Sequence, residues 1–160
     1  MDPRVHIQQE DFNVADSYAE LRDQAGADAG AIVTFVGLVR DRNSVAGDGS
    51  EVNTLTLEHY PGMTENSIVA ILNDAQQRWP VPWVKVIHRV GELCPKEQIV
   101  LVMVASAHRE AAFAAAEFIM DYLKTNAVLW KRELTEQGES WLKSTAEDAA
   151  RTNNWQITNN

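Results

Sequence analysis

Residues 99–134, IVLVMVASAHREAAFAAAEFIMDYLKTNAVLWKREL, hold the reading that decides the fold. Ile99 to Ser106 is apolar and β-branched, at strand length. Ala107 to about Thr125 is rich in alanine and other strong helix formers, which predicts a helix. Val128 to Leu134 resumes as a strand. A strand, a helix and a strand in direct succession make a layered fold with helices lying on a sheet.

Outward from there the same alternation continues. Val5 to Gln8 reads as a short strand, and Asn13 caps a helix from Val14 to about Gln24. Ala31 to Val39, AIVTFVGLV, predicts a strand buried on both faces. Residues 41–51, DRNSVAGDGSE, are polar and glycine-bearing and predict a loop. Val52 to His59 alternates as a strand, and Tyr60, Pro61 and Gly62 turn the chain. Thr64 is expected to cap a helix to about Trp79, ended by Pro80 and Pro82. Trp83 to Val90 is a further strand, joined to Ile99–Ser106 by a turn, GELCPKEQ. The order β-α-β-β-α-β-β-α-β predicts an α+β sandwich: a mixed or antiparallel sheet with helices packed on it. One domain is expected over residues 1–143, followed by a polar tail at 144–160; Trp141 and Trp155 sit in the polar C-terminal stretch, which docks or frays.

Composition narrows the function. The chain has 160 residues, 45 % of them hydrophobic, and a net charge of −9. That sign argues against nucleic acid and anionic membranes as partners. Ile99 to Ala105 is the longest apolar run and is far short of a membrane span. The N-terminal MDPRVHIQQEDF has no apolar core and does not read as a signal peptide. Cys94 is the single cysteine, which fits a reducing cytoplasm. His6, His59 and His88 lack metal-ligand spacing with one another or with Cys94, so no metal and no cofactor are expected. Cys94, before a proline in a turn, reads as incidental.

Against an acidic background the basic residues of the strand–helix–strand segment stand out. Ser106 as N-cap would put His108 and Arg109 in the first helical turn, where free backbone N–H groups and two cations make a seat for an anion. A solvated first turn is the plain alternative. Lys124 lies near the helix C-terminus, where the dipole favours a cation. A surface lysine that compensates the dipole is the plain reading; its helical neighbours Met120, Glu117 and Phe113 make a partly apolar face, and at the rim of a pocket there partial burial would lower its pKa. Lys131 and Arg132 are adjacent on a strand and point to opposite faces. Arg40 closes a strand just before the loop, where ligand contacts concentrate. Arg109 and Lys124 are 15 residues apart, which on one helix is roughly 22 Å. Either they serve different sites, or Arg109 of one chain approaches Lys124 of another across a symmetric dimer.

TLEHYPGMTE (56–65), VIHRVGEL (86–93), SAHRE (106–110), FIMDYLKT (118–125) and WKRE (130–133), in this order and spacing, resemble the catalytic, large subunit family of molybdopterin synthase. The resemblance runs from about Val5 to Trp141. It implies an α/β hammerhead fold with a small β subdomain, and a homodimer at the centre of a heterotetramer. It implies a sulfurtransferase that takes two sulfurs from a small ubiquitin-like carrier ending in a Gly-Gly thiocarboxylate. The acceptor would be cyclic pyranopterin monophosphate, and the product the dithiolene of molybdopterin. On the same resemblance Lys124 is the catalytic group and Lys131 a second functional lysine. Arg40, His108 and Arg109 bind the phosphate-bearing substrate, Arg132 and Glu133 line or brace the site, and Phe35 and Met120 pack on the pterin. Leu38 stands where relatives often carry a lysine, and Val128–Leu129 replaces a Pro-aromatic pair. The alternatives are a binding module that docks a ubiquitin-like partner without turnover, and a phosphometabolite sensor.

Overall fold

The computed structural model describes residues 1–41 and 52–157. The predicted loop at 41–51 falls outside these residues but for Asp41.

The elements in chain order are β1 (Val5–Gln8), α1 (Val14–Ala25), a 3-10 turn (Gly26–Asp28), β2 (Ala31–Leu38), β3 (Val52–His59) and α2 (Met63–Arg78). They continue with β4 (Trp83–Arg89), β5 (Gly91–Leu93), β6 (Gln98–Ser106), α3 (Arg109–Thr125), β7 (Leu129–Thr135), β8 (Gly138–Leu142) and α4 (Ala146–Ile157). They build two four-stranded sheets, ordered β1-β4-β6-β2 and β5-β3-β7-β8. The first is mixed, because β1 runs parallel to β4 while β4–β6 and β6–β2 are antiparallel. The second is antiparallel throughout and is the small β subdomain. The α+β architecture expected from the element order is the one observed.

β6 is the strand with both faces covered. Val100, Val102 and Val104 face one side with Ile68, Leu72, Phe118 and Ile119 of α2 and α3. Leu101, Met103 and Ala105 face the other with Phe12, Leu21 and Ala25, the last two from α1. Period-two alternation therefore gives each helical layer its own half of the strand. The expectation that Ala31–Val39 is buried on both faces is overturned. β2 pairs only with β6, at the end of the sheet, and Phe35 and Leu38 are exposed. An apolar, β-branched run has the same composition at the edge as in the centre.

Four boundaries also differ. Thr64 does not cap α2: its hydroxyl accepts from Tyr60 N and donates to the Val128 carbonyl, and the N-cap is Gly62 at φ 83°. Ser106 does not cap α3: its hydroxyl donates to the Pro80 carbonyl at 2.9 Å, and the N-cap is His108. The GELCPKEQ stretch is not all turn, since Gly91–Leu93 pairs with β3. Gly91, at φ 90°, turns the chain out of the first sheet into the second, a backbone region that favours glycine. Beyond β7 the chain forms β8 and then α4.

The second sheet sits over a third cluster of Val39, Leu55, Leu57, Val90 and Leu93. Val39 and Val90 are the exits from the first sheet, so the two sheets meet where β2 and β4 end. Arg40 follows Val39 at that junction, and β7 brings Lys131 and Glu133 to it from the other sheet.

Candidate functional site

α3 is the axis of the site. Ala111, Ala112, Ala115 and Ala116 are buried along it with Phe118, Ile119 and Leu123. Small side chains let the helix lie close to the first sheet. The opposite face is open: Phe113 is exposed, and the Lys124 side chain is 51 % exposed. Of the two readings of Lys124, the surface lysine is the one observed, not the partly buried one.

Lys131 is the less exposed of the two lysines, half-buried where Lys124 is exposed. It sits on β7 opposite Leu57 and Leu142. Burial pushes its pKa below the ordinary lysine range; the nearby Lys124 charge lowers it further, and Asp148 opposes both. Lys124 Nζ stands 3.5 Å from Asp148 Oδ1. Three elements thus converge: α3 with Lys124, β7 with Lys131 and α4 with Asp148. His88 on β4 faces the same place. It is buried, feels the Lys131 charge, and is held down to about 4 chiefly by desolvation. It is therefore neutral near pH 7, and its Nδ1–H donates to the Arg89 carbonyl at 2.8 Å.

Glu133 lies two residues beyond Lys131 on the same face of β7. Its Oε2 is buried without a hydrogen-bond partner among the described residues. Burial raises its pKa, and the Arg40 charge pulls the other way. Arg40 and Glu133, distant in sequence, are thereby brought together. Arg132 points to the other face, as strand geometry requires. Its guanidinium is 3.9 Å from Glu58 and 3.5 Å from Glu139 and lies 5.5 Å over the Trp141 ring. These are cross-strand contacts that brace the second sheet.

His108 and Arg109 are exposed at the far end of α3. No side chain caps that end, so its first N–H groups stay available to an anion. Within one chain the structure does not unite them with Lys124, because the whole length of α3 intervenes. Phe35 is 40 % exposed on the edge strand, on the α3 side of the first sheet with Ala31 and Val33. Met120 is half-buried against the core that α3 shares with that sheet.

A groove between α3 and α4 is lined by Glu117, Asp121, Glu147, Arg151 and Trp155. Its carboxylates give it the wrong sign for an anionic substrate. Lys124 and Lys131, which feel each other's charge, and Arg40, near Glu133, supply the opposite sign.

Sequence reasoning missed His88 and Asp148. The second had a usable signal. Thr145-x-x-Asp148 is a helix-start pattern, and the helix it opens carries Asp148 to Lys124.

The chain matches the family model described as MoaE protein over residues 7–126. It is 54 % identical over 156 residues to the molybdopterin synthase catalytic subunit of Vibrio cholerae, covering 98 % of this chain and all of that one. It is 51 % identical over 152 residues to the protein of the same name from Yersinia pestis, covering 95 % and 97 %. Among solved structures, the molybdopterin biosynthesis MoaE protein of Burkholderia ambifaria superposes with a TM-score of 0.79 at 42 % identity, covering 95 % and 97 %.

Proposed function

The chain belongs to the MoaE family of molybdopterin synthase catalytic subunits, and from that premise we propose how its own residues carry the reaction. It is the sulfurtransferase subunit of that synthase. It moves two sulfurs from the thiocarboxylated C-terminus of a small ubiquitin-like carrier to cyclic pyranopterin monophosphate, giving the dithiolene of molybdopterin. Two such chains form a homodimer at the centre of a heterotetramer with two carriers. The reaction takes place in the cytoplasm; none of the described helices is long and apolar enough to cross a membrane.

The observation that carries this reading is the lysine pair. A thiocarboxylate and a phosphate ester are both anions, and a chain of net charge −9 holds them only where it concentrates cations. Lys131, half-buried on β7, fixes the anionic tail or substrate. Lys124, half exposed on the adjacent helix, reaches the acyl carbon of the carrier. There it stabilises the oxyanion that develops when the thioester between carrier and substrate is cleaved, or supplies a proton. Arg40 binds the phosphate-bearing substrate, and Glu133 holds Arg40 in place. Phe35 and Met120 pack on the pterin. His108 and Arg109 act in the site of the neighbouring subunit. Arg132 braces β7 through Glu58, Glu139 and Trp141.

The test is a reconstituted assay with thiocarboxylated carrier and cyclic pyranopterin monophosphate, followed by oxidation and fluorescence detection of the pterin product. Dithiolene formation that requires both components is the expected result. Carrier binding without turnover would instead identify a docking module, and substrate binding without the carrier a sensor.

A further inference from the structure

Asp148 is held more firmly than a surface carboxylate. It stands at the third position of α4 and makes a reciprocal capping box with Thr145. Thr145 N donates to its Oδ2, and its own N–H donates to Thr145 Oγ1, each at 3.1 Å. Its other oxygen, Oδ1, is left for Lys124. The helix itself is fastened to α3 and α2. Trp155 Nε1 donates to Asp121 Oδ2 at 2.7 Å, Thr152 and Thr125 share a hydroxyl hydrogen bond at 3.0 Å, and Arg78 donates to the Trp155 carbonyl at 2.9 Å. The Asp148 side chain is 15 % exposed, against 51 % for Lys124.

The charges that face this carboxylate can be named element by element. α3 contributes Lys124, with Asp121 and Glu117 along the groove; β7 contributes Lys131; β4 contributes His88, neutral near pH 7. On α4 itself, Glu147 is engaged with Arg151 at 3.2 Å. Asp148 is thus the carboxylate that meets Lys124 directly and also acts on Lys131. Two ammonium groups held close repel each other. A fixed carboxylate beside them offsets that repulsion and limits where Lys124 can swing.

We propose that Asp148, on the C-terminal helix, is a positioning residue for the lysine pair: it orients Lys124 and offsets the repulsion between the two ammonium groups. The C-terminal helix is then a working part of the site. This rests on the sulfur-transfer reading above. It does not rest on any contact between Asp148 and substrate.

Asp148→Asn removes the charge but keeps an oxygen to accept from Thr145 N, so α4 should still form. Two readouts are compared with wild type. The first is the basic limb of the kcat/KM–pH profile with thiocarboxylated carrier. The second is the titration of the Lys131 Nζ-bearing carbon, followed by NMR on ¹³C-lysine protein without substrate. In Asp148→Asn both midpoints move to lower pH, and kcat/KM at the basic end falls about 2–5-fold, the factor carried by a partly exposed ion pair. Asp148→Glu restores both. Thr145→Ala weakens the cap yet moves neither midpoint, which separates charge from helix stability. If Asp148→Asn does not fold, Asp148→Ser is titrated with the same two outcomes. An unmoved Lys131 titration overturns the proposal. So does a higher kcat/KM across the whole pH range, which would mean that α4 obstructs the site. The NMR titration needs no turnover, so a moved midpoint in a chain that transfers no sulfur would refute the activity and leave the Asp148 coupling standing.

Discussion

Trp155 on α4 donates its indole N–H to the buried carboxylate of Asp121 on α3, and the same ring packs edge-on against Trp79 and Phe118 at 5.5 and 5.6 Å. One side chain therefore supplies both the polar and the apolar fastening of the last helix. Trp155→Ala removes those aromatic contacts and leaves Asp121, 7 % exposed, without this donor. A half-buried tryptophan at such a site is worth about 2–3 kcal/mol. The variant should melt earlier by that amount in urea, and amide hydrogen exchange should accelerate throughout α4. An α4 that stays protected would show that Thr152 and Arg78 hold it without the indole.

His88 makes stability depend on pH in a definite window. Its folded-state pKa of about 4 lies below the ordinary 6.5 because burial disfavours the imidazolium. Between those values the unfolded chain binds the extra proton, so stability rises with pH. The contribution is complete above pH 6.5 and is lost as pH falls toward 4; a displacement of this size is on the order of 3 kcal/mol. Urea denaturation at pH 7 and at pH 4.5 should show the loss. In His88→Phe the difference between the two pH values should shrink, whatever the variant's absolute stability. An unchanged difference would locate the effect in the carboxylates instead.

The sequence shows the layers and the cations more clearly than it shows which strand lies at an edge. β2 and β6 have the same apolar, β-branched character, and only the pairing partners separate an edge strand from a central one. The helix caps shifted for a local reason. Thr64 and Ser106 are good cap residues, but their hydroxyls bond Val128 and Pro80, residues far along the chain. Lys131 and Arg132 could be assigned to opposite faces from strand geometry alone. Which face was buried depended on Leu57 lying across from Lys131. Asp148 was hidden because a polar tail reads as solvent-facing until Trp155 is seen inside an aromatic cluster.

Lys124→Ala should abolish conversion and leave the fold intact. The side chain is half exposed, and its ion pair with Asp148 at 3.5 Å is of a kind worth about 0–1 kcal/mol. A circular dichroism melt near wild type with no product in the reconstituted assay is the expected pair of results. Turnover within a few-fold of wild type would remove Lys124 from the chemistry.

Cys94→Ser should keep its activity. Cys94 is exposed, and its backbone N–H, bonded to Glu97 Oε2 at 2.6 Å, holds the local turn independently of the thiol. Sulfur arrives on the carrier's C-terminus, so no persulfide on this chain is required. A folded but inactive Cys94→Ser protein would mean that sulfur passes through this thiol.

The two ends of α3 give the last prediction. Arg109 opens the helix and Lys124 lies one residue from its end, roughly 22 Å away along the axis, yet both are assigned to substrate. No small metabolite spans that length, and the proposed resolution is that His108 and Arg109 reach the site from the neighbouring subunit. Arg109→Ala and Lys124→Ala proteins, each inactive alone, are mixed under conditions where mass spectrometry confirms subunit exchange. With shared sites, one site of each heterodimer carries both lesions and the other carries none, so mixing restores activity toward half per heterodimer. If Arg109 and Lys124 served one site within a single chain, every site would keep a lesion and mixing would restore nothing. Failure of complementation with exchange confirmed would refute the composite site.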